Sequence, residues 1–173
     1  MPFLLTILGL IGAALVWYIR ARLVGMAARD LGHAASDVMN AARRLGFRRR
    51  ANMHPVESVD EPELAIATIA TAFLELDGLP SREDQMRLAR ALASHTGTAP
   101  DKAEEMLVMG RWLVSECKGP QPAITRVTKR LMRLEPTAFQ PLLAVLGEIS
   151  GPGGLSAPQR EALDEIARIA RLR

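Results

Sequence analysis

Residues 73–84 read Phe73-Leu-Glu-Leu-Asp-Gly-Leu-Pro-Ser-Arg-Glu-Asp84, with four carboxylates and one glycine in the stretch. Laid out as a calcium loop, Glu75, Asp77 and Gly78 fall where such loops carry ligands and their turn glycine, and Asp84 falls at the closing position. The opening position, however, is Phe73, which has no ligand atom, and Asp84 is one methylene shorter than the bidentate Glu such loops close on. Pro80 also lacks the N–H with which paired loops bond each other. As a joint between two helices the same residues all find a use. Gly78 permits a left-handed helix end, Pro80 blocks continuation, and Ser81-x-x-Asp84 has the form of a capping box. The stretch is a corner in a helical protein. A looser divalent-cation site, built from Asp77 with Glu83 or Asp84, is its chemical alternative.

Outward from that corner, short amphipathic patterns alternate with Gly and Pro, and no strand-like alternation appears. Before it, Asp60-Glu-Pro-Glu63 opens a first helix with Ile66, Ile69, Phe73 and Leu76 on one face. The second starts at Ser81, with Leu88, Ala89 and Leu92 inward. Thr98-x-x-Asp101 starts a third, carrying Met106, Leu107, Gly110, Leu113 and Val114. Lys118-Gly-Pro-Gln-Pro122 divides it from a fourth, with Ile124, Val127, Leu131 and Leu134. Pro136 or Thr137 begins a fifth, with Phe139, Leu142, Leu143, Leu146 and Ile149. Gly151-Pro-Gly-Gly154 is a stop, and Ser156-Ala-Pro-Gln159 begins a sixth, with Leu163, Ile166, Ala167 and Ala170. Short helices joined by short loops predict a compact all-α bundle over 61–173. Residues 51–60, which break the periodicity, read as a linker.

Composition agrees. Hydrophobic residues make up 49% of the 173, yet aromatics only 4%, so the apolar mass is the Leu, Ala, Ile, Val and Met of helices. Arginine outnumbers lysine 19 to 3, the bias of a GC-rich bacterial genome. The single cysteine, Cys117, excludes an internal disulfide and a thiolate metal site of its own.

The net charge of +3 divides unevenly. Residues 1–50 carry eight Arg against Asp30 and Asp37, a net of +6; residues 51–173 carry 14 basic and 17 acidic side chains, a net of −3. The basic half begins with Pro2–Ile19, a run without a charge. As a helix it is roughly 27 Å long, one hydrocarbon core. Trp17 and Tyr18 stand where amphipathic rings favour the interface, and Arg20 and Arg22 follow. A cleaved signal peptide would have a basic start and a small-residue cleavage site, and neither is present. Residues 1–22 are therefore expected to be a transmembrane signal-anchor, with the N-terminus outside and the bundle in the cytoplasm of a bacterial inner membrane. Gly9, Gly12 and Ala13 give this helix a small-residue face, and Gly9-x-x-x-Ala13 has the spacing that admits a closely packed partner helix.

Residues 23–50 continue as a basic amphipathic stalk. Val24, Leu31, Val38 and Leu45 recur every seven residues, with paired alanines between. The seam suits a coiled coil, a helix lying on the membrane, or packing on the following domain. Arg48, Arg49 and Arg50 close it with charges suited to anionic headgroups. No nucleic-acid module accompanies these arginines, so lipid is the expected partner.

Two segments resemble a known family. Leu76-Asp-Gly-Leu-Pro-Ser-Arg-Glu83 is similar to the A-D-G-x-hydrophobic-S-x-x-E signature of TerB-like tellurite-resistance domains. Gly153-Gly-Leu-Ser-Ala-Pro-Gln159, followed by Ala162-Leu-Asp-Glu-Ile-Ala167, resembles the same signature near that domain's end. The resemblance spans residues 60–172. A membrane anchor before such a domain resembles the N-terminal part of membrane-anchored DnaJ-like co-chaperones. It implies a helical fold and an association with membrane and metal-stress systems. The family's second Asp-Gly is Pro152-Gly153 here, the sequence has no J domain, and His54-Pro55-Val56 lacks the Asp that stimulates an Hsp70. Co-chaperone activity is therefore not carried over.

Catalytic constellations are missing from the sequence. No H-E-x-x-H, G-x-S-x-G or Walker glycine loop occurs, and His33, His54 and His95 are scattered. The expectation is a non-enzymatic, membrane-anchored adaptor, accessory subunit or assembly factor of an inner-membrane complex, a respiratory-chain assembly being one candidate client. No cofactor and no small-molecule substrate is expected. The alternative is a metal-stress protein of the TerB type using Asp77, Glu83 and Asp84.

Overall fold

The computed structural model describes residues 36–47, 52–151 and 154–171, and the chain divides into two compact units, Met1–Met39 and Asn40–Arg173. Among the described residues all regular structure is helical, with no strand. No helix among them is long and apolar enough to cross a membrane. The expected signal-anchor, with Gly9, Gly12, Ala13, Trp17, Tyr18, Arg20 and Arg22, lies outside the described residues, as do Arg48, Arg49 and Arg50.

The second unit begins with helical residues up to 44, called α1 here, followed by α2 (Pro62–Glu75), α3 (Arg82–Thr96), α4 (Pro100–Glu116), α5 (Pro120–Leu134), α6 (Phe139–Ile149) and α7 (Ala157–Arg171). The six helices expected after residue 60 are all present. Three of them, α2, α4 and α5, start on a proline, whose missing N–H is one the first turn leaves unbonded anyway. Two start on reciprocal caps. Asp84 N–H donates to Ser81 Oγ at 3.1 Å while Ser81 N–H donates to Asp84 Oδ2 at 3.1 Å. Ser156 and Gln159 repeat the exchange ahead of α7, each bond 3.2 Å long. The expected Thr98 cap does not form. Helix α4 starts after Ala99, and Thr98 Oγ1 instead pairs with Thr96 Oγ1 at 2.6 Å.

Helix α2 is the centre of the bundle. Every residue from Leu64 to Phe73 is buried, where the sequence pattern suggested a single apolar face. A helix apolar on all sides has neighbours on all sides, and α3, α4, α5 and α6 all pack on it. Alanine and threonine at 65, 67, 68, 70, 71 and 72 make this possible, since small side chains let surrounding helices come close. One close approach is at Gly110 of α4. A Cβ there would lie 3.2 Å from Thr68 Cα and 3.3 Å from Thr71 Oγ1. Thr68 and Thr71 bond the carbonyls of Leu64 and Ala67 at 2.7 and 2.8 Å, which satisfies their hydroxyls inside the core. Thr128 Oγ1, fully buried in α5, has no such partner.

Several inward faces differ from the expected ones: Leu76 of α2, Ala89 of α3 and Leu134 of α5 are only half-buried, and in α3 Ala91 is buried instead. In α6, Val145 is buried and Leu143 is exposed. In α7 the buried set is Gln159, Ala162, Ile166 and Ile169, with Leu163, Ala167 and Ala170 only half-buried.

The expected linker is a packed element. Residues Pro55–Ser58 form a 3-10 turn in which Val56 is buried, and Val59 after it is buried too. His54 joins the turn to α4, its Nδ1 accepting from Val56 N–H at 3.3 Å and its Nε2 lying 3.3 Å from the Glu116 carbonyl. Arg130 of α5 donates to Val59 O at 2.8 Å and to Asp60 Oδ1 at 3.0 Å, and Arg133 reaches Glu57 at 3.0 Å. Glu61 Oε2 lies 2.9 Å from Lys102 Nζ of α4. The end of the stalk is likewise held. Ala41 is buried, Arg44 pairs with Glu105 at 2.6 Å, and the Phe47 ring meets Trp112 edge-on with centroids 5.9 Å apart. Of the three readings of the stalk, packing on the following domain holds for residues 40–47.

Candidate functional site

The corner at residues 73–84 is built as a helix joint. Helix α2 ends at Glu75, and Gly78 N–H returns to the Glu75 carbonyl at 3.2 Å. Gly78 has φ of 116°, a conformation only glycine adopts without strain. Pro80 follows, and Gln85 Nε2 donates to its carbonyl at 3.2 Å. Ser81 then caps α3.

That construction uses up much of the proposed cation site. Asp84 Oδ2 accepts from both Ser81 N–H and Ser81 Oγ, the latter at 2.6 Å, and Asp84 Oδ1 lies 3.5 Å from Arg87. The Ser81 hydroxyl above all, then its N–H, holds the Asp84 carboxyl below its ordinary range, with Arg87 adding to this. Glu83 lies 3.6 Å from Arg87. Asp77 is exposed on the loop. Among the described residues no group of three or more His, Cys, Asp or Glu side chains is placed to hold a metal ion.

The other residues considered for chemistry have structural surroundings. His95 of α3 pairs with Glu148 of α6 at 2.7 Å. Cys117 is buried at the end of α4; that burial pushes its thiol up, Arg126 opposes the effect and Glu116 adds to it. Met106 is fully buried.

What the sequence pattern did not single out is Leu79. It is 99% exposed, at the tip of the corner. Burying such a side chain fully is worth about 1.5–3 kcal/mol, a gain this fold leaves unused. Single exposed leucines are ordinary; this one forms part of the lining of an open, mainly apolar groove. Val114 of α4, with Gly119 and Pro120 at the start of α5, lines it as well, together with Glu75 and Arg111. Desolvation pushes the Glu75 carboxyl up, and the Arg111 charge pulls against that shift. The one hint in the sequence is an apolar residue between Gly78 and Pro80, two residues that keep it out of either helix.

In chemical terms the corner presents an exposed apolar side chain, an apolar recess, and one charge of each sign. Comparison of the chain with models of known protein families, with curated proteins and with solved structures finds no match.

Proposed function

We propose that this chain is a non-enzymatic, membrane-anchored adaptor: an accessory subunit or assembly factor of a bacterial inner-membrane complex, with a TerB-like helical bundle held at the cytoplasmic face. The observation that carries the reading is the uncharged run Pro2–Ile19 ending in Trp17 and Tyr18 and followed by Arg20 and Arg22. Two features of the bundle support it. Residues 40–47 and 52–60 are joined to α4 and α5 by ion pairs and ring contact. The most conspicuous unused apolar group, Leu79, sits beside an open groove of the kind side chains of a protein fill.

The metal-stress alternative needs Asp77 with Glu83 or Asp84. Both oxygens of Asp84 already serve Ser81 and Arg87, which favours the adaptor. Purification of the full chain through a C-terminal tag in a gentle detergent should bring down stoichiometric membrane proteins. A clean monomer in several detergents would sink the reading. Replacing Gly9 and Ala13 with Leu should lose the partners while the chain stays in the membrane, because bulk on that face forces a packed helix away. Replacing Arg48, Arg49 and Arg50 with Gln should keep both, since a spanning helix anchors far more strongly than three headgroup contacts.

A further inference from the structure

We propose that helix α5 lays its outer face on anionic phospholipid headgroups and so docks the bundle against the membrane surface. Its basic residues, Arg126, Lys129, Arg130 and Arg133, fall within roughly 100° of arc at 3.6 residues per turn. The buried face, centred on Val127 and Leu131, is opposite them. Helix α5 carries no carboxylate, whereas each of the other helices among the described residues carries at least one. This all-basic stripe belongs to a region, residues 51–173, whose net charge is −3.

Two of the four charges are already balanced. Arg130 pairs with Asp60 and Arg133 with Glu57, each at 3.0 Å. Arg126 and Lys129 are exposed, and no ion pair among the described residues takes up either. Arg126 acts on the Cys117 thiol, but a thiol that burial keeps neutral cannot offset a positive charge. The stripe has no aromatic side chain on which a base could stack. Its attraction is that of point charges to a surface of dispersed negative charge, which anionic headgroups supply. The two balanced pairs also fix where the stripe lies along the chain. They pin residues 57–60 against α5, and Arg50 stands seven residues ahead of Glu57, at most about 25 Å along an extended chain. The stripe is thus near the point where the chain enters the bundle from the basic segment expected at the headgroups. The choice of lipid over an acidic protein face rests on the anchor reading above; the stripe itself does not.

The test uses the full chain with a donor dye at its C-terminus, reconstituted into vesicles that contain a headgroup-labelled acceptor lipid. Energy transfer should be higher in phosphatidylcholine mixed with phosphatidylserine than in phosphatidylcholine alone, and the difference should shrink as salt is raised. Arg126→Gln with Lys129→Gln should weaken this lipid-dependent docking by roughly 25-fold, at about fivefold for each basic side chain near an anionic surface. The charge-keeping exchange Arg126→Lys with Lys129→Arg should retain it. Removing two exposed charges from α3 instead, Arg82→Gln with Arg90→Gln, should change it little. Equal transfer in the two lipids overturns the proposal, and is the result an acidic protein occupant would give. Docking unchanged in the Arg126/Lys129 glutamine variant, or weakened equally by the α3 pair, overturns it too. Flotation on neutral vesicles in high salt reports separately on the anchor. If the chain does not float there, the anchor reading fails, and flotation on anionic vesicles in low salt decides the proposal. Binding that the Arg126/Lys129 glutamine variant loses then sustains it, and absence of binding overturns it.

Discussion

Two glycines in helices should respond to the same substitution with opposite signs. Gly147 lies near the end of α6, exposed, and a Cβ built there meets nothing within 4 Å. Gly110 lies in the middle of α4, and its Cβ would stand 3.2 Å from Thr68 Cα and 3.3 Å from Thr68 N. Alanine is the better helix former by about 0.8–1.0 kcal/mol in a helix interior. At Gly147, two residues from the helix end, the gain should be about 0.5 kcal/mol. At Gly110 the same gain meets overpacking. Carbon atoms prefer about 3.5–4.0 Å, so α2 and α4 must separate by a few tenths of an ångström. The obstructing atoms are backbone and cannot rotate away. Thr71 Oγ1 could turn aside only by giving up its bond to Ala67. Since α2 is buried from Leu64 to Phe73, shifting it disturbs the other helices around it. Overpacking costs about 1–3 kcal/mol, which leaves Gly110→Ala destabilised by about 1 kcal/mol. For a unit of this size the expected changes in Tm are about +2 °C at Gly147 and about −4 °C at Gly110. Calorimetric melts of the full chain and both variants, in one mild detergent, measure the difference. Stabilisation by Gly110→Ala as large as by Gly147→Ala would refute the close approach of α2 and α4.

Other consequences are open to direct measurement. Thr128→Val removes a buried hydroxyl with no partner and nearly keeps its shape, so it should stabilise by about 1 kcal/mol in the same melts. Ser81→Ala breaks the capping box and should cost about 1 kcal/mol at pH 7. Because Asp84 sits below its ordinary value of 3.8 when folded, its contribution is present above that value and lost as pH falls through the folded one. The gap between Ser81→Ala and wild type should therefore narrow in melts taken below about pH 3.8. Cys117, buried and with its thiol pushed up, should react with a thiol reagent at pH 8 on the order of tenfold more slowly in the folded chain than in denaturant. Arg130→Ala should loosen the turn before α2, with hydrogen exchange at Val59 and Asp60 reporting the change.

The sequence alone determined the helices and their joints. Periodicity, N-terminal prolines and the two Ser caps are local chemistry, set by residues within a turn of each other, so Ser81–Asp84 and Ser156–Gln159 were legible without a fold. The refusal of Phe73–Asp84 as a calcium loop was equally local, since it depends on which atoms a side chain carries. Tertiary structure decided everything that depends on what lies opposite. Helix α2 read as one apolar face of Ile66, Ile69, Phe73 and Leu76, and only the surrounding helices show that its alanines and threonines are buried too. Residues 51–60 read as a linker because the partners of His54, Glu57, Val59 and Asp60, namely Glu116, Arg130 and Arg133, are 62 or more positions away. Leu79 looked like any leucine in a bundle. Its exposure follows from Gly78 and Pro80 lifting it off both helices, and the far side of its groove comes from α4 and the start of α5, which no pattern around residue 79 encodes. Local bonding is written in neighbouring residues, whereas burial is a sum over the whole packed unit and exists only once that unit has formed.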